Sequence, residues 1–223
     1  MTGDIHPLFL SLPAQLLHNV ITATQQRSFR AGSIIAGQGT LCEGLFCIRQ
    51  GLVQFAMIST NGNSTFIGIE KNGNYFGDCE LLLAQAHFAT ISAITDCKID
   101  IVPVAVFNEC LTHAAFACDV ARSVAQHLQL LQWVQMARHQ FSAERQIANI
   151  ILYLGQHFGH ATAVSTQIDV HLTQDQLADM AGVSRQAIHK PLLQWKENGW
   201  IDYQYGRLLI CNAPALQKIA SGA

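Results

Sequence analysis

The side chains best suited to chemistry in this sequence cluster between Thr173 and Arg207. Thr173, Gln174, Ser184, Arg185, Gln186, His189, Lys190 and Arg207 are all hydrogen-bonding or cationic. An arginine can donate two parallel hydrogen bonds to guanine, and a glutamine pairs similarly with adenine. Lysine, serine and threonine suit phosphate oxygens, which position a protein without reading sequence. The set points to double-stranded DNA. The competing reading is a helical hairpin whose polar face is merely solvated. Covalent chemistry is less well served. Seven cysteines stand at 42, 47, 79, 97, 110, 118 and 211, with no Cys-x-x-Cys pair. There is no Gly-x-Ser-x-Gly turn, no phosphate loop and no His-Glu-x-x-His. No catalytic residue, no metal ligand and no enzyme activity are expected.

These polar residues need a scaffold, and the local sequence supplies one. Thr173 caps a helix, and Gln176 three residues later completes a capping box. Leu177, Ala178 and Ala181 form its apolar side. Gly182 ends it with the backbone freedom of a sharp turn. Ser184 caps a second helix, with Ile188, Leu192 and Leu193 turned inward. Caps, turn and apolar faces agree on a helix-turn-helix. The second helix exposes Ser184, Arg185, Gln186, His189 and Lys190, and its N-terminus adds partial positive charge for phosphate. Pro191 lies within it, where a proline removes an amide donor and crowds the preceding turn. A kink or a displaced C-terminal half is expected there. Trp200–Tyr203 and Arg207–Ile210 read as two strands around Gln204-Tyr205-Gly206, a wing that brings Arg207 towards the DNA backbone.

Upstream, the texture changes. From about Phe29 to Pro103, glycines recur at 32, 37, 39, 44, 51, 62, 68, 73 and 77. Between them lie the short apolar runs Ser33–Ile35, Leu45–Arg49, Leu52–Ile58, Thr65–Ile69, Ile91–Ile94 and Lys98–Val102. Asn61-Gly62-Asn63 and Asn72-Gly73-Asn74 read as tight turns. Such strands predict a compact β-roll. Thr112 to Arg138 has no Gly or Pro and predicts one helix, capped by Thr112. Its apolar residues Phe116, Val120, Val124, Leu128, Leu131 and Val134 fall at intervals of three or four. A small roll cannot cover a helix of about 40 Å. The stripe is therefore expected to pack on its copy in a homodimer, with Val120, Val124, Leu128 and Leu131 in contact. Packing against the chain's own roll is the alternative. Ala143–His157 reads as a further helix, His160–Gln167 as a polar connection and Ile168–Leu172 as a short strand. The expected organisation is α+β: a sensory roll (1–111), a dimerisation helix (112–140) and a winged helix-turn-helix (141–223).

A length of 223 residues suffices for one large or two modest cores. Only 13% of residues are charged and 50% are hydrophobic, which excludes a disordered tail. The net charge of −2 excludes a polybasic arm. Residues 142–223 hold six Lys and Arg against six acids. DNA affinity must then come from where the cations sit, with few phosphate contacts per subunit and a shallow salt dependence. Scattered cysteines in apolar segments read as reduced thiols and a cytoplasmic location. Met1–Val20 lacks a basic n-region and is not read as a signal peptide. Leu81–Ile94 is uncharged over 14 residues, too short and too polar for a membrane span.

Roll, long helix and winged helix in this order resemble the bacterial regulators typified by the cyclic-AMP receptor protein, the Crp/Fnr family. The resemblance covers about residues 8 to 212. It rests on Ser33-Ile34-Ile35-Ala36-Gly37-Gln38-Gly39, on Leu45-Phe46-Cys47-Ile48-Arg49-Gln50-Gly51-Leu52-Val53 and on Asn72-Gly73-Asn74-Tyr75-Phe76-Gly77-Asp78 in the roll. Downstream it rests on Arg145-Gln146-Ile147-Ala148 and Val183-Ser184-Arg185-Gln186-Ala187-Ile188. It implies a homodimer on a palindromic operator, an effector-sensing cyclic-nucleotide-binding-like domain, and RNA polymerase as a further partner.

The departures from the family pattern are specific. Cyclic-nucleotide binders of the family hold the phosphate with a Gly-Glu pair and a later Arg-Ser pair. Here these match Gly77-Asp78 and Phe88-Ala89, with Thr90 following, and the long-helix hydroxyls that reach the base match Leu131 and Gln132. A buried anion without a cation is costly. Cyclic AMP is therefore not the expected effector, and the effector is an unassigned small molecule. In the recognition helix, the family's Arg, Glu and Arg match Arg185, Gln186 and Lys190, so the operator should differ where Gln186 reads it. Iron–sulfur relatives use N-terminal cysteines, and none precedes Cys42. Haem binding near Cys79 and His87, or a thiol switch at Cys110 and Cys118, stays open as an alternative.

Overall fold

Five consecutive residues from Gly44 to Ile48 are buried, because their strand is covered on both faces. Side chains alternate across a strand. Leu45 and Cys47 enter a cluster with Phe9, Val20, Val102, Phe107, Phe116 and Val120. Phe46 and Ile48 enter another with Val53, Phe76, Ile91 and Ile99. This strand organises the first of two compact units, Met1–Leu130 and Leu131–Ala223. The computed structural model describes residues 5–222 except 63, 163, 164, 169, 205 and 206, and describes no side chain for 130, 131, 133, 134, 137–139 and 204.

The first unit runs from a 3-10 turn, Pro7–Ser11, through α1 (Ala14–Ala23), β1 (Gln25–Phe29), β2 (Ile34–Ala36), β3 (Gly44–Gln50), β4 (Leu52–Ile58), β5 (Ser64–Lys71) and β6 (Tyr75–Phe76). It continues through α2 (Asp78–Leu83), β7 (Thr90–Ala93), β8 (Cys97–Pro103), α3 (Val104–Leu111) and the start of α4 (Ala114–Gln140). Two antiparallel sheets, ordered β1-β8-β3-β6 and β2-β7-β4-β5, form the roll. The turn at Asn72-Gly73-Asn74 forms with Gly73 at φ 87°. Gly62 has φ 78°, while Asn63 lies outside the described residues.

The long helix departs from expectation at its start. Thr112 is the C-cap of α3, its Oγ1 donating to the Glu109 carbonyl at 2.7 Å, and α4 begins at Ala114. Phe116 and Val120 are buried within their own unit, against Phe9 and Phe107. Val120 is thus a core residue rather than a dimer contact. Val124 is half-buried and Leu128 is exposed, while the side chains of Leu131 and Val134 lie outside the described set.

The second unit contains α5 (Ala143–Phe158), β9 (Gly159–Ala161), β10 (Thr166–Ile168), α6 (Gln174–Ala181), α7 (Arg185–Glu197), β11 (Ile201–Gln204), β12 (Arg207–Ile210) and α8 (Ala213–Ser221). Its sheet runs β11-β12-β10-β9. The predicted strand Ile168–Leu172 is displaced to Thr166–Ile168, and the expected polar connection contributes β9. α5 starts at Ser142, whose hydroxyl accepts from the Arg145 amide. It buries Ile147, Ile151 and Leu154 on one stripe.

Candidate nucleic-acid interface

Local chemistry builds the helix-turn-helix. The Thr173 hydroxyl accepts from the Gln176 amide at 3.2 Å, and Gln176 Oε1 accepts from the Thr173 amide at 2.9 Å. Leu177, Ala178 and Ala181 are buried. The chain then turns through Gly182 at φ 69°, a left-handed conformation that favours glycine. The Ser184 hydroxyl accepts from the Ala187 amide and starts α7.

In α7, Ile188, Leu192 and Trp195 are buried at helical spacing. Leu193, expected inward, is 50% exposed, since it lies off that stripe. Arg185, Gln186, His189 and Lys190 are exposed on the helix, as are Thr173, Gln174 and Ser184 before it. Pro191 does not displace the helix end: α7 is assigned as one helix from Arg185 to Glu197. Only the Ala187 carbonyl loses an i+4 amide partner. Lys196 Nζ lies 3.6 Å from Asp202 Oδ1, tying the end of α7 to the wing strand β11. Arg207 opens β12 and is exposed, with Gln204 opposite it in the ladder. The wing-tip residues Tyr205 and Gly206 lie outside the described residues.

Sequence reasoning missed Asp175. This residue, in the first turn of α6, forms an ion pair with Arg185 Nη2, and both side chains are largely exposed. The signal available was an acid two residues after the cap, but only the turn angle brings it to Arg185. Another cation is already committed: Arg145 Nε donates to the Ala220 carbonyl at 2.7 Å, and its guanidinium stacks 3.6 Å over the Phe141 ring.

The residues expected around an effector are placed individually. Gly77, at φ 94°, starts α2. Asp78 is 5% exposed, its Oδ2 has no hydrogen-bond partner, and burial pushes its carboxyl up. Phe88 is 52% exposed, Ala89 is fully buried, and Thr90 Oγ1 accepts from the Gln38 amide at 3.2 Å. Gln132 is exposed, and the Leu131 side chain is outside the described set. A cavity of about 270 Å³ lies elsewhere, walled by His6, Phe9, Val20, Arg49 and Asp100 among others.

Two residues beyond Asp78, Glu80 forms an ion pair with His87 that sequence reasoning did not anticipate. His87, 2% exposed, places Nδ1 3.5 Å from Oε1 of Glu80, itself 7% exposed. The Cys42 thiol and the Glu80 carboxylate outweigh burial and push His87 up to about 9. Burial pushes Glu80 up, but His87 and backbone amides outweigh it and leave the carboxyl below its ordinary value. The pair therefore defines a pH window. The His87 contribution to stability is complete below about 6.5 and is lost as pH rises through about 9. The Glu80 contribution is present above 4.5 and is lost as pH falls through its lowered value. Thermal melts should show wild type losing stability relative to His87→Gln between pH 6.5 and 9. Parallel curves would contradict the pairing.

The comparisons with known proteins agree with this geometry. Residues 26–114 match the cyclic nucleotide-binding domain model, and residues 145–219 match the Crp-like helix-turn-helix domain model. Transcriptional regulator SdrP of Thermus thermophilus is 22% identical over 196 residues, covering 86% of this chain and 93% of the relative. The crystal structure of TTHA1359, a CRP/FNR-family transcriptional regulator from the same species, superposes with a TM-score of 0.73 at 20% identity, covering 88% of this chain and 98% of that one. Lysophospholipase nte1 of Aspergillus oryzae matches over 118 residues at 26% identity, and the chain spans 8% of that relative's length. A cyclic-nucleotide-binding roll followed by a Crp-like winged helix-turn-helix, over nearly the length of such regulators, makes this chain a member of the Crp/Fnr family of transcriptional regulators.

Proposed function

We propose that the chain acts as a homodimer on palindromic operators, reading bases with Arg185, Gln186 and Lys190, and that its effector is not cyclic AMP. The observation that carries the reading is the polar face of α7, exposed while Ile188, Leu192 and Trp195 hold the opposite face in the core. Thr173, Ser184 and Arg207 would contact backbone phosphates. For the dimer, support comes from α4, where Leu128 is 55% and Met136 42% exposed on a 27-residue helix. In a twofold dimer the recognition helices would enter major grooves about 34 Å apart. Selection from a random DNA pool tests this. The expected product is an inverted repeat whose half-sites lie about one helical turn apart. A recovered pool with no inverted repeat would overturn the reading.

Against cyclic AMP stand Asp78, buried with an unpartnered oxygen, and Phe88 and Ala89 where the family's cyclic-nucleotide binders carry Arg and Ser. A phosphate there would meet a carboxyl and no guanidinium. A ligand that binds only the folded state must raise its melting temperature. Cyclic AMP at about 1 mM is expected to produce no saturable shift. A clear shift would show that the phosphate finds a cation elsewhere.

A further inference from the structure

The cavity of about 270 Å³ between α1 and the sheet has a polar end and an apolar body. β8 carries one acid, Asp100, and its ladders set Gln26 of β1 on one side and Cys47 of β3 on the other. Asp100 is buried, and a buried carboxylate is costly unless it is paired. Its Oδ1 accepts from Gln26 Nε2 at 3.1 Å and its Oδ2 from Arg49 Nε at 2.5 Å. The β3–β8 register shifts between Ile48 and Gln50, so Arg49 is the unpaired residue of a bulge. Bulges re-aim side chains, and this one sets the guanidinium beside Asp100 at the cavity wall. Among the described residues Arg49 donates through Nε alone, which leaves its two terminal amino groups as donors. A buried pair gives little net stability over apolar side chains of similar volume, so folding alone does not account for it. Phe9, Leu17, Val20 and Val102 supply the apolar body. His6 and Cys47, also in the wall, are neutral. His6 Nε2 donates to the Gly73 carbonyl at 2.9 Å, its Nδ1 accepts from the Leu8 amide, and burial holds its pKa below the ordinary value. Burial pushes the Cys47 thiol up to about 12. The charged residues of the wall are then Arg49 and Asp100, which neutralise each other. Leu10 and Ile21 also line the cavity and are exposed, which gives its opening an apolar rim.

We propose that this cavity binds a small uncharged amphiphile with an aliphatic tail and an amide head. The inference concerns the first unit alone and does not rest on the DNA-binding reading. Volume sets the size of the occupant. An apolar cavity of about 150 Å³ accepts benzene, so about 270 Å³ takes about ten non-hydrogen atoms. Charge sets the head. A carbonyl oxygen accepts from the terminal amino groups of Arg49 without adding charge. Asp100 already neutralises Arg49, so a carboxylate head would bring an unbalanced negative charge beside Asp100. An ammonium head would meet the Arg49 guanidinium. Gln26 Nε2 is committed to Asp100, which leaves Gln26 Oε1 to accept from an amide N–H of the ligand. The tail lies against Phe9, Leu17 and Val20 and covers Leu10 and Ile21 at the opening.

The test uses the full chain at neutral pH, titrated in a calorimeter with octanamide and with octanoate. The two probes have the same number of non-hydrogen atoms and differ in charge. Octanamide should bind saturably, with a Kd of about 1 mM or tighter. Octanoate should bind about tenfold more weakly. Leu17→Trp fills the apolar body from a half-buried position and should weaken octanamide about tenfold or more. Arg49→Met with Asp100→Leu leaves no unpaired buried charge, so the double variant should fold and still lose about tenfold in octanamide affinity. The wild-type titrations decide the site and the head whether or not the variants fold. No saturable octanamide binding up to about 5 mM overturns the site. Octanoate binding as tightly as octanamide overturns the uncharged head. Undiminished octanamide binding in a folded Leu17→Trp protein overturns the location, and in the folded double variant it removes Arg49 and Asp100 from recognition.

Discussion

Arg185→Ala should lower affinity for the selected operator by about 100-fold or more while leaving the melting temperature within about 2 °C of wild type. The Arg185 side chain is 77% exposed, so truncation opens no cavity and removes little packing. On the proposed reading it removes a base contact of about 1–3 kcal/mol, which would be present twice in a twofold complex. At about 1.4 kcal/mol per tenfold, two modest contacts already reach that loss. Asp175 supplies the converse experiment. In the free chain its carboxylate holds Arg185, an exposed pair of about 0–1 kcal/mol that contributes little to folding. On DNA, in the proposed mode of binding, the same carboxylate would face a phosphate field. Asp175→Asn should therefore strengthen non-specific binding and steepen the salt dependence by about one counterion per subunit. Electrophoretic mobility shifts across a salt series measure both variants. Wild-type affinity in Arg185→Ala would remove this helix from base reading. Weaker binding by Asp175→Asn would mean that Asp175 orients Arg185 instead of competing with DNA.

The parts of the molecule legible in its sequence are those with local causes. The capping box at Thr173, the turn at Gly182 and the cap at Ser184 each act within four residues, and all three form as expected. Leu52–Ile58 is a strand with the predicted bounds because its apolar run ends in turn residues. Other elements have no such mark. β1 reads Gln-Gln-Arg-Ser-Phe, mostly exposed, and is a strand only because β8 offers it a ladder. The short α3 merged into the long helix in the sequence pattern, which made Thr112 look like a start when it is an end. Val120 and Leu128 belong to one periodic stripe, yet only the first meets Phe9 and Phe107. Periodicity defines a face and cannot say what covers it. The pairs Asp175–Arg185 and Glu80–His87 span ten and seven residues across a turn. Such pairs depend on how two elements are oriented, which no local rule encodes.

Trp195→Ala should destabilise the second unit by about 3–5 kcal/mol. Trp195 is fully buried in α7, and its indole N–H donates to Glu144 Oε1 at 3.3 Å, joining the recognition helix to the first turn of α5. A domain of this size has about 5–15 kcal/mol in total, so the variant keeps only part of its margin. Its melting transition should fall by about 12 °C or more. Trp195→Phe retains most of the buried area and loses only the indole bond, a cost of about 1 kcal/mol. The pair of variants separates packing from hydrogen bonding, and Arg185→Ala separates both from base contact. If DNA affinity falls in Trp195→Ala, it should fall in proportion to the unfolded fraction and recover on cooling towards maximum stability. Arg185→Ala should not recover, because its loss is of a contact and not of folded protein. A Trp195→Ala transition within about 2 °C of wild type would show that the surroundings collapse onto the vacated space. α7 would then be held chiefly by Ile188, Leu192 and the Lys196–Asp202 pair.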